Sequence, residues 1–178
     1  PRSLARPSGL DAAAGMIMHE LPATGETVVR LPYRVGEHEV ANLLLERPGR
    51  TRPDEIVILG AHYDTVHFPP TPGADDNASA VAVLIEVARR LAGFEFDRTV
   101  RFVAFPCEEP PYFYTDQMGS EVYARACRQR GDRIVGMLCL EMVGYFTDAP
   151  DSQRALAQIP RPLRWLLPKR GNFLAAVG

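Results

Sequence analysis

The sequence lacks several features that would each place a protein in a recognisable class. No apolar run approaches the roughly 18 residues that a membrane-spanning helix requires. Its 20 Lys+Arg and 22 Asp+Glu residues give a formal net charge of −2, so there is no basic excess for nucleic acid or for an anionic membrane surface. The 3 cysteines are odd in number and have no CxxC spacing, which argues against a disulfide framework and a cysteine zinc site. We therefore expect neither nucleic acid nor a membrane as a partner.

Targeting signals are lacking as well. The chain begins PRSLARPSGL, without Met and without the hydrophobic core of a signal peptide, which indicates a trimmed N-terminus. The compartment and the oligomeric state stay open. The 178 residues, 46% of them hydrophobic, suffice for one domain with a hydrophobic core, and no internal repeat or low-complexity tract divides them. We expect a single domain over residues 1–178.

Hydrophobic periodicity predicts strands that alternate with helices. The predicted elements are a helix over 9–21, a hairpin of strands 27–35 and 39–46, a strand over 55–61, a helix from Asn77 to Gly93, a strand over 98–107, a helix over 119–130 and a strand over 134–140. The pattern loosens from Asp148, and FLAAVG (173–178) is typical of the start of a further strand. This alternation predicts an α/β sandwich whose sheet has a parallel core.

Acidic and imidazole side chains follow the core strands where these end. They are His62 and Asp64 after the first strand, Asp75, Asp76 and Asn77 before the next helix, Glu108 and Glu109 after the second strand, and Glu141 after the third. In open α/β sheets, ligands gather at the carboxyl ends of the strands. So much negative charge in a partly buried place is unfavourable unless a cation or protons offset it. One histidine with several carboxylates suits Zn²⁺, Mn²⁺ or Co²⁺, and a shared carboxylate could hold two ions roughly 3.5–4 Å apart.

Each motif also has a simpler interpretation. Adjacent aspartates before a helix often cap it, a His-x-Asp pair can be a plain hydrogen-bonded pair, and a Glu-Glu pair is usually a solvated turn. Glu141 is hardest to explain in this way, because a carboxylate within GMLCLEMVGYF needs a partner. The His-x-Asp pair, the adjacent aspartates, the Glu-Glu pair and Glu141 are all expected at one sheet edge. This coincidence favours a metal site.

Five motifs, in order and spacing, resemble those of the M28, or Aeromonas-aminopeptidase-like, zinc metallopeptidases. They are GAHYD (60–64), PGADDNAS (72–79), EE (108–109), GSEVYA (119–124) and LEMVGY (140–145). The resemblance runs from about residue 10 to residue 147. It implies a three-layer α/β sandwich with a mixed, centrally parallel sheet flanked by helices. It also implies one or two zinc ions, with Mn or Co as alternatives, and hydrolysis of peptide substrates at a free N-terminus.

The resemblance assigns a role to each residue at this edge. The metal ligands would be His62, Asp76, Glu109 and Glu141. Asp76 would bridge two ions, which leaves Asp75 and Asn77 to stabilise the turn and cap the helix. Asp64 would orient His62 and raise its basicity. Glu108 would be the general base that takes a proton from metal-bound water and passes it to the leaving amine.

The sequence departs from the family pattern in three ways. Glu141 stands where the family usually has a ligating Asp, one methylene shorter. The family's last ligand is a histidine, but no histidine follows His67 here, so one metal position would lack its imidazole unless His67 replaced it. We therefore expect this chain to be the N-terminal portion of a longer catalytic domain. Whether this portion is active by itself stays open. The link from Pro110 to Met118 is long and aromatic, and either shapes substrate choice or packs as a loop.

Two other functions are compatible with the same residues. Glutaminyl cyclases, which use one zinc to cyclise an N-terminal Gln, are relatives of this family and would suit a site with a single ion. Non-enzymatic binding domains also occur on the same fold, although such domains tend to lose ligands that this chain retains. Assays of pyroglutamate formation against amino-acid release, together with metal analysis, would separate these functions.

Overall fold

A computed structural model describes residues 1–69, 71–153 and 168–178. The described chain divides into two compact units, Pro1–Met142 and Val143–Gly178. The first unit contains helix α1 (Pro7–Glu20), strands β1 (Val29–Val35), β2 (His38–Arg47) and β3 (Arg52–His62), helix α2 (Ala80–Arg90), strand β4 (Arg98–Phe105), helix α3 (Gly119–Arg130) and strand β5 (Arg133–Cys139). An irregular helical turn, Ala74–Ser79, precedes α2. Every element predicted for this unit is present, with bounds that shift by a few residues.

The five strands form one mixed sheet in the order β1-β2-β4-β3-β5. Strands β1 and β2 form the predicted antiparallel hairpin, with Val35 opposite His38 across a turn at Gly36, whose φ of +59° suits glycine. Strand β2 is antiparallel to β4, whereas β3 is parallel to both β4 and β5. The three parallel strands therefore end at the same edge of the sheet.

Alternate residues of the strands face opposite layers, which places helices on both faces of the sheet. On one face, Val103 packs in a cluster with Tyr123 of α3. On the other, the guanidinium carbon of Arg47 lies 5.1 Å from the ring centroid of Phe102. Arg47 Nη2 also donates a hydrogen bond to the carbonyl of Ala88 in α2, at 2.8 Å. Helices α2 and α3 thus cover opposite faces.

Helix α1 lies beside α2. Leu10, Ala13 and Ile17 form its buried side. Arg89 Nε of α2 donates to the carbonyl of Glu20 at 3.1 Å, which joins the two helices. The first unit therefore has three layers, with α1 and α2 on one face of the mixed sheet and α3 on the other, as the sequence predicts.

A buried ion pair connects β4 to the residues after α3. Arg101 is 9% exposed. It donates from Nη1 to Asp132 at 2.6 Å and from Nε to Glu46 at 2.6 Å. Arg130 Nη2 donates to the same Asp132 oxygen at 2.7 Å. Burial, the largest influence, raises the pKa of Asp132, but the two arginines outweigh it and hold this pKa at about 2.

Replacing Asp132 by asparagine is expected to lower the free energy of unfolding at pH 7 by roughly 1–2 kcal/mol, because solvent partly screens the pair. The folded pKa of about 2 lies below the unfolded value. This contribution is therefore complete above about pH 4 and is lost as the pH falls towards 2. Urea unfolding across that pH range measures it. A stability difference that does not shrink at low pH would contradict the assignment.

The matched control for this experiment is Asp54→Asn. The Asp54 side chain is 70% exposed and lies 3.4 Å from Arg133 Nη1. Exposed pairs of this kind contribute little to stability, so we expect a change below about 0.5 kcal/mol at every pH.

The second unit differs from expectation at its end. The backbone of 173–178 is described and forms no strand, so the predicted strand there is wrong. A strand exists only when its backbone pairs with a neighbour, and apolar composition alone does not supply one. Within this unit, Thr147 N–H donates to the carbonyl of Gly171 and Gln153 N–H to that of Lys169. Most of the loosened pattern after Asp148 lies outside the described residues, and the single domain over 1–178 stays a prediction.

Among the described residues, no helix is both long and apolar enough to cross a membrane.

Candidate metal centre

The ends of the three parallel strands bring the predicted residues to one place. His62 is the last residue of β3 and stands opposite Phe105, the last residue of β4. Gly60 of β3 stands opposite Cys139, the last residue of β5. Glu108 and Glu141 follow β4 and β5 within three residues. The parallel register thus places these carboxylates beside the imidazole.

His62 lies at the centre of the acidic cluster and is 4% exposed. Its Nε2 atom lies 3.2 Å from Asp76 Oδ1, 3.4 Å from Glu141 Oε2 and 3.6 Å from Glu108 Oε2. Its Nδ1 atom lies 3.4 Å from Asp64 Oδ1. Four carboxylates that the sequence singled out therefore meet around one imidazole.

Three of these residues could hold a metal ion. One ligand atom each from His62, Asp76 and Glu141 lies within 4.8 Å of the others. In a tetrahedral zinc site with bonds of about 2.0–2.2 Å, the ligand atoms stand roughly 3.3–3.6 Å apart, close to the separations from Nε2 observed here. Both ring nitrogens of His62 and Oδ1 of Asp76 are buried without a hydrogen-bond partner in the described residues. Buried polar atoms normally have partners, so this donor set fits a cation.

The charges of the cluster also favour a bound cation. Burial, the largest influence, lowers the pKa of His62, but the carboxylates of Asp64, Glu141 and Glu108 outweigh it and raise this pKa to about 10. Burial raises the pKa of Glu108 to about 7, and three neighbouring carboxylates add to the effect while His62 opposes it. The potential at His62 is thus strongly negative, which favours a positive charge there.

Asp64 organises the backbone of the acidic pair. It is 4% exposed. Its Oδ1 accepts a hydrogen bond from the N–H of Glu108 and its Oδ2 one from the N–H of Glu109, each at 3.0 Å. The 3.4 Å from Asp64 to His62 exceeds an ordinary hydrogen bond of about 2.7–3.2 Å. The observed contacts of Asp64 therefore link β3 to the segment after β4, and its orienting effect on His62 stays a prediction.

Asn77 does not cap the helix, so that prediction is wrong. Helix α2 begins at Ala80, its N-cap residue is Ser79, and no side chain caps it. Asn77 lies two residues before the N-cap position, too far along the chain to bind the first free N–H groups of the helix. The fully buried amide of Asn77 instead donates to Leu140 O at 3.0 Å and to Glu141 Oε2 at 3.2 Å. Its Oδ1 accepts from Met142 N–H at 3.1 Å. Asn77 therefore attaches the segment after β5 to the turn that carries Asp76.

Asp75 stabilises the turn, as predicted. Both its carbonyl and its Oδ1 accept from Ser79 Oγ, at 2.7 and 3.2 Å. The backbone between them departs from helical angles at Asp76, with φ −97° and ψ 96°. The turn and its irregularity together set the position of the Asp76 carboxylate.

Glu109 is not among the three residues whose ligand atoms converge. It lines a cavity together with His67 and Tyr112. Burial is the largest influence on the pKa of Glu109 and raises it, and the carboxylate of Asp76 adds to this effect. Metal ligation by Glu109, and replacement of the absent histidine by His67, both stay predictions.

The aromatic residues of the link from Pro110 to Met118 differ in their exposure to solvent. Tyr112 lines the cavity beside Glu109. The rings of Phe113 and Tyr114 contact each other with centroids 4.1 Å apart and planes inclined by 48°, and Tyr114 is 85% exposed. Tyr112 therefore lies beside the acidic pair and Tyr114 lies in solvent, and both interpretations of this segment remain open.

Sequence reasoning missed Arg2. Its guanidinium donates to the carbonyls of Tyr63, Pro72 and Gly73, at 2.8, 3.0 and 2.9 Å. These carbonyls belong to the segments that carry His62 and the Asp76 turn. Nothing in the local pattern PRSLAR signals such contacts, because their partners lie more than 60 residues away along the chain.

The fold and the site together define an α/β protein with a candidate metal centre at the ends of its parallel strands. The chain matches the model of peptidase family M28 over residues 42–166. It therefore belongs to peptidase family M28.

Comparisons with individual proteins agree with this family. YfbL of Escherichia coli K12, described as uncharacterized, is 37% identical over all of this chain and 54% of its own length. Other curated relatives are named aminopeptidase or probable zinc metalloprotease. The chain spans about half the length of YfbL and a smaller share of these other relatives.

Two solved structures share the fold. The zinc aminopeptidase BSAP of Bacillus subtilis has a TM-score of 0.54 and 30% identity, over 66% of this chain and 28% of its own. A glutaminyl cyclase of Porphyromonas gingivalis has a TM-score of 0.64 and 25% identity, over 76% of this chain and 51% of its own. The same fold thus occurs in a protein named aminopeptidase and in one named glutaminyl cyclase. Both enzymes were considered in the sequence analysis.

Proposed function

We propose that this chain forms the metal-binding part of an aminopeptidase that hydrolyses peptide bonds at a free N-terminus. The observation that carries the proposal is the convergence of His62, Asp76 and Glu141 within 4.8 Å, beside Glu108, in a member of a peptidase family.

His62, Asp76 and Glu141 would hold a first zinc ion, and Glu109 would contribute to a second position through the shared Asp76. A bound zinc ion supplies Lewis acidity, which polarises a carbonyl and lowers the pKa of water. Mn²⁺ or Co²⁺ suits the same nitrogen and oxygen ligands.

In this proposal Glu108 is the residue that moves protons. Its Oε2 lies 3.6 Å from His62 Nε2, and its side chain is 30% exposed, so it faces both the ligand group and the open side. The N–H contact with Asp64 holds its backbone in place. In the proposed reaction Glu108 accepts a proton from the attacking water and returns it to the leaving amine, so that the peptide bond breaks and no net proton is consumed at Glu108.

Charge favours a peptide with a free amino terminus as substrate. The ammonium group of such a peptide is positive, whereas the sheet edge carries the carboxylates of Asp64, Asp76, Glu108, Glu109 and Glu141. Opposite charges attract over a Debye length of about 10 Å. The same carboxylates repel the phosphates of nucleic acid.

A glutaminyl-cyclase-like reaction is the second candidate. The observation that favours it is that the described residues contain one converging group of three ligands, which suits a single zinc. The likeness to the Porphyromonas gingivalis cyclase adds support. In that reaction the α-amine of an N-terminal Gln attacks its own side-chain amide, a ring C–N bond forms and ammonia leaves. A non-enzymatic binding domain remains the third alternative.

One experiment separates these functions. The intact protein is incubated with two peptides that differ only in their first residue, Leu or Gln, and the products are analysed by mass spectrometry. We expect release of the first amino acid from both peptides, and loss of this activity after chelation with recovery on addition of Zn²⁺. Loss of ammonia from the Gln peptide alone would favour the cyclase. A protein that binds no metal and leaves both peptides unchanged would favour the binding domain.

A further inference from the structure

The start of the chain is hydrogen-bonded into the loops of the metal centre through Arg2. Its backbone N–H donates to Thr65 Oγ1 at 2.8 Å, and its carbonyl accepts from Thr65 N–H at 2.9 Å. Thr65 is 1% exposed. The backbone of Arg2 is therefore held beside the segment that follows β3.

The side chain of Arg2 reaches a second loop. Nε donates to the carbonyl of Tyr63, and Nη1 and Nη2 donate to the carbonyls of Pro72 and Gly73. A Cβ atom on Gly73 would lie 2.7 Å from Arg2 Nη2 and 2.1 Å from Thr65 Cγ2. The two loops and the guanidinium are thus in close contact, with no room for a side chain at position 73.

These contacts join the segments that carry two of the proposed ligands. Tyr63 lies between His62 and Asp64 in the sequence, and Gly73 directly precedes the turn that contains Asp76. A guanidinium is a planar fork with donors in fixed directions, so it can bind carbonyls of both loops at once. Moving either loop would break at least one of these bonds.

We propose that Arg2 is a positioning residue for the metal centre, and that its guanidinium sets the spacing between His62 and Asp76. This inference rests on the proposed metal site. Arg2 touches neither ligand and acts through the two loops.

The charge of Arg2 has the opposite effect on cation binding. Arg2 interacts electrostatically with Asp64 and Asp76, so its positive charge weakens the attraction of this site for a cation. If charge alone mattered, an uncharged residue at position 2 would strengthen zinc binding. If position matters, the same change weakens zinc binding, because His62 and Asp76 lose their fixed spacing. The sign of the effect therefore distinguishes the two roles.

The test compares three variants of the chain, Arg2→Met, Arg2→Lys and the control Arg6→Met. Arg6 is an exposed arginine of the same segment. Zinc affinity is measured by competition with a chromophoric chelator, ligand geometry by the visible spectrum of the Co²⁺ form, and stability by thermal unfolding without metal. The lysine variant keeps the charge but presents a compact ammonium that cannot span both loops.

We expect Arg2→Met and Arg2→Lys to weaken zinc binding by about 10–100-fold and to change the Co²⁺ spectrum, as changes around metal ligands typically do. Arg6→Met should leave both unchanged. Unchanged or tighter zinc binding by Arg2→Met, or full rescue by Arg2→Lys, would overturn the positioning role, even if the variants unfold at lower temperature. Absence of zinc binding by the unaltered chain would instead overturn the metal site, and the role of Arg2 with it.

Discussion

Replacement of Glu108 by glutamine in the intact protein is expected to lower kcat for release of an N-terminal amino acid by about 10²–10⁴-fold. Glutamine has nearly the shape of glutamate, but its amide cannot accept and return a proton at neutral pH. Glu108 does not belong to the converging group of His62, Asp76 and Glu141. Zinc affinity should therefore change far less than kcat. The measurement pairs steady-state kinetics on an aminoacyl substrate with zinc titration of the same protein.

Glu37→Gln provides the matched control for this prediction. Glu37 lies at the exposed turn between β1 and β2, and the same loss of charge there should leave kcat and zinc affinity as they were. Wild-type turnover by Glu108→Gln would show that Glu108 is not the general base. An equal loss of zinc binding and of turnover would assign Glu108 to metal binding instead.

The fold was largely predictable because its elements have strong local signals. Helix α3 has the predicted bounds, 119–130, and the hairpin turn at Gly36 lies where the pattern breaks. The strand expected at 173–178 fails for a physical reason, since pairing depends on a partner strand and an apolar hexapeptide carries no information about one. Elements defined by their own periodicity could thus be predicted, whereas an element defined by its neighbour could not.

The sequence sufficed to predict at which edge of the sheet the site lies. Parallel strands end together, so residues at the ends of β3, β4 and β5 had to meet, and His62, Glu108 and Glu141 do. Two roles escaped prediction because they depend on contacts between distant parts of the chain. Asn77 reaches the backbone around Glu141, more than 60 residues on, and Arg2 reaches the loops at Tyr63 and Gly73.

Replacement of His62 by alanine is expected to abolish the stabilisation of the chain by zinc. A ligand that binds only the folded state at 100 times its dissociation constant adds about 2.7 kcal/mol of stability. For a chain of this length, that corresponds to a rise in Tm of roughly 5–10 °C. His62 is the only imidazole in the converging group. Without it, Asp76 and Glu141 leave two carboxylates, which bind zinc weakly in competition with water.

His38→Ala is the matched control for the loss of His62. His38 is an exposed histidine at the start of β2, within the hairpin. Its removal tests whether zinc binds to surface or unfolded-state histidines, and the rise in Tm should persist in this variant. Thermal unfolding of both variants and of the unaltered chain, with zinc and with a chelator, gives the comparison. If His62→Ala kept the full zinc-dependent rise, zinc would bind elsewhere, and the metal centre proposed at the ends of β3, β4 and β5 would be wrong.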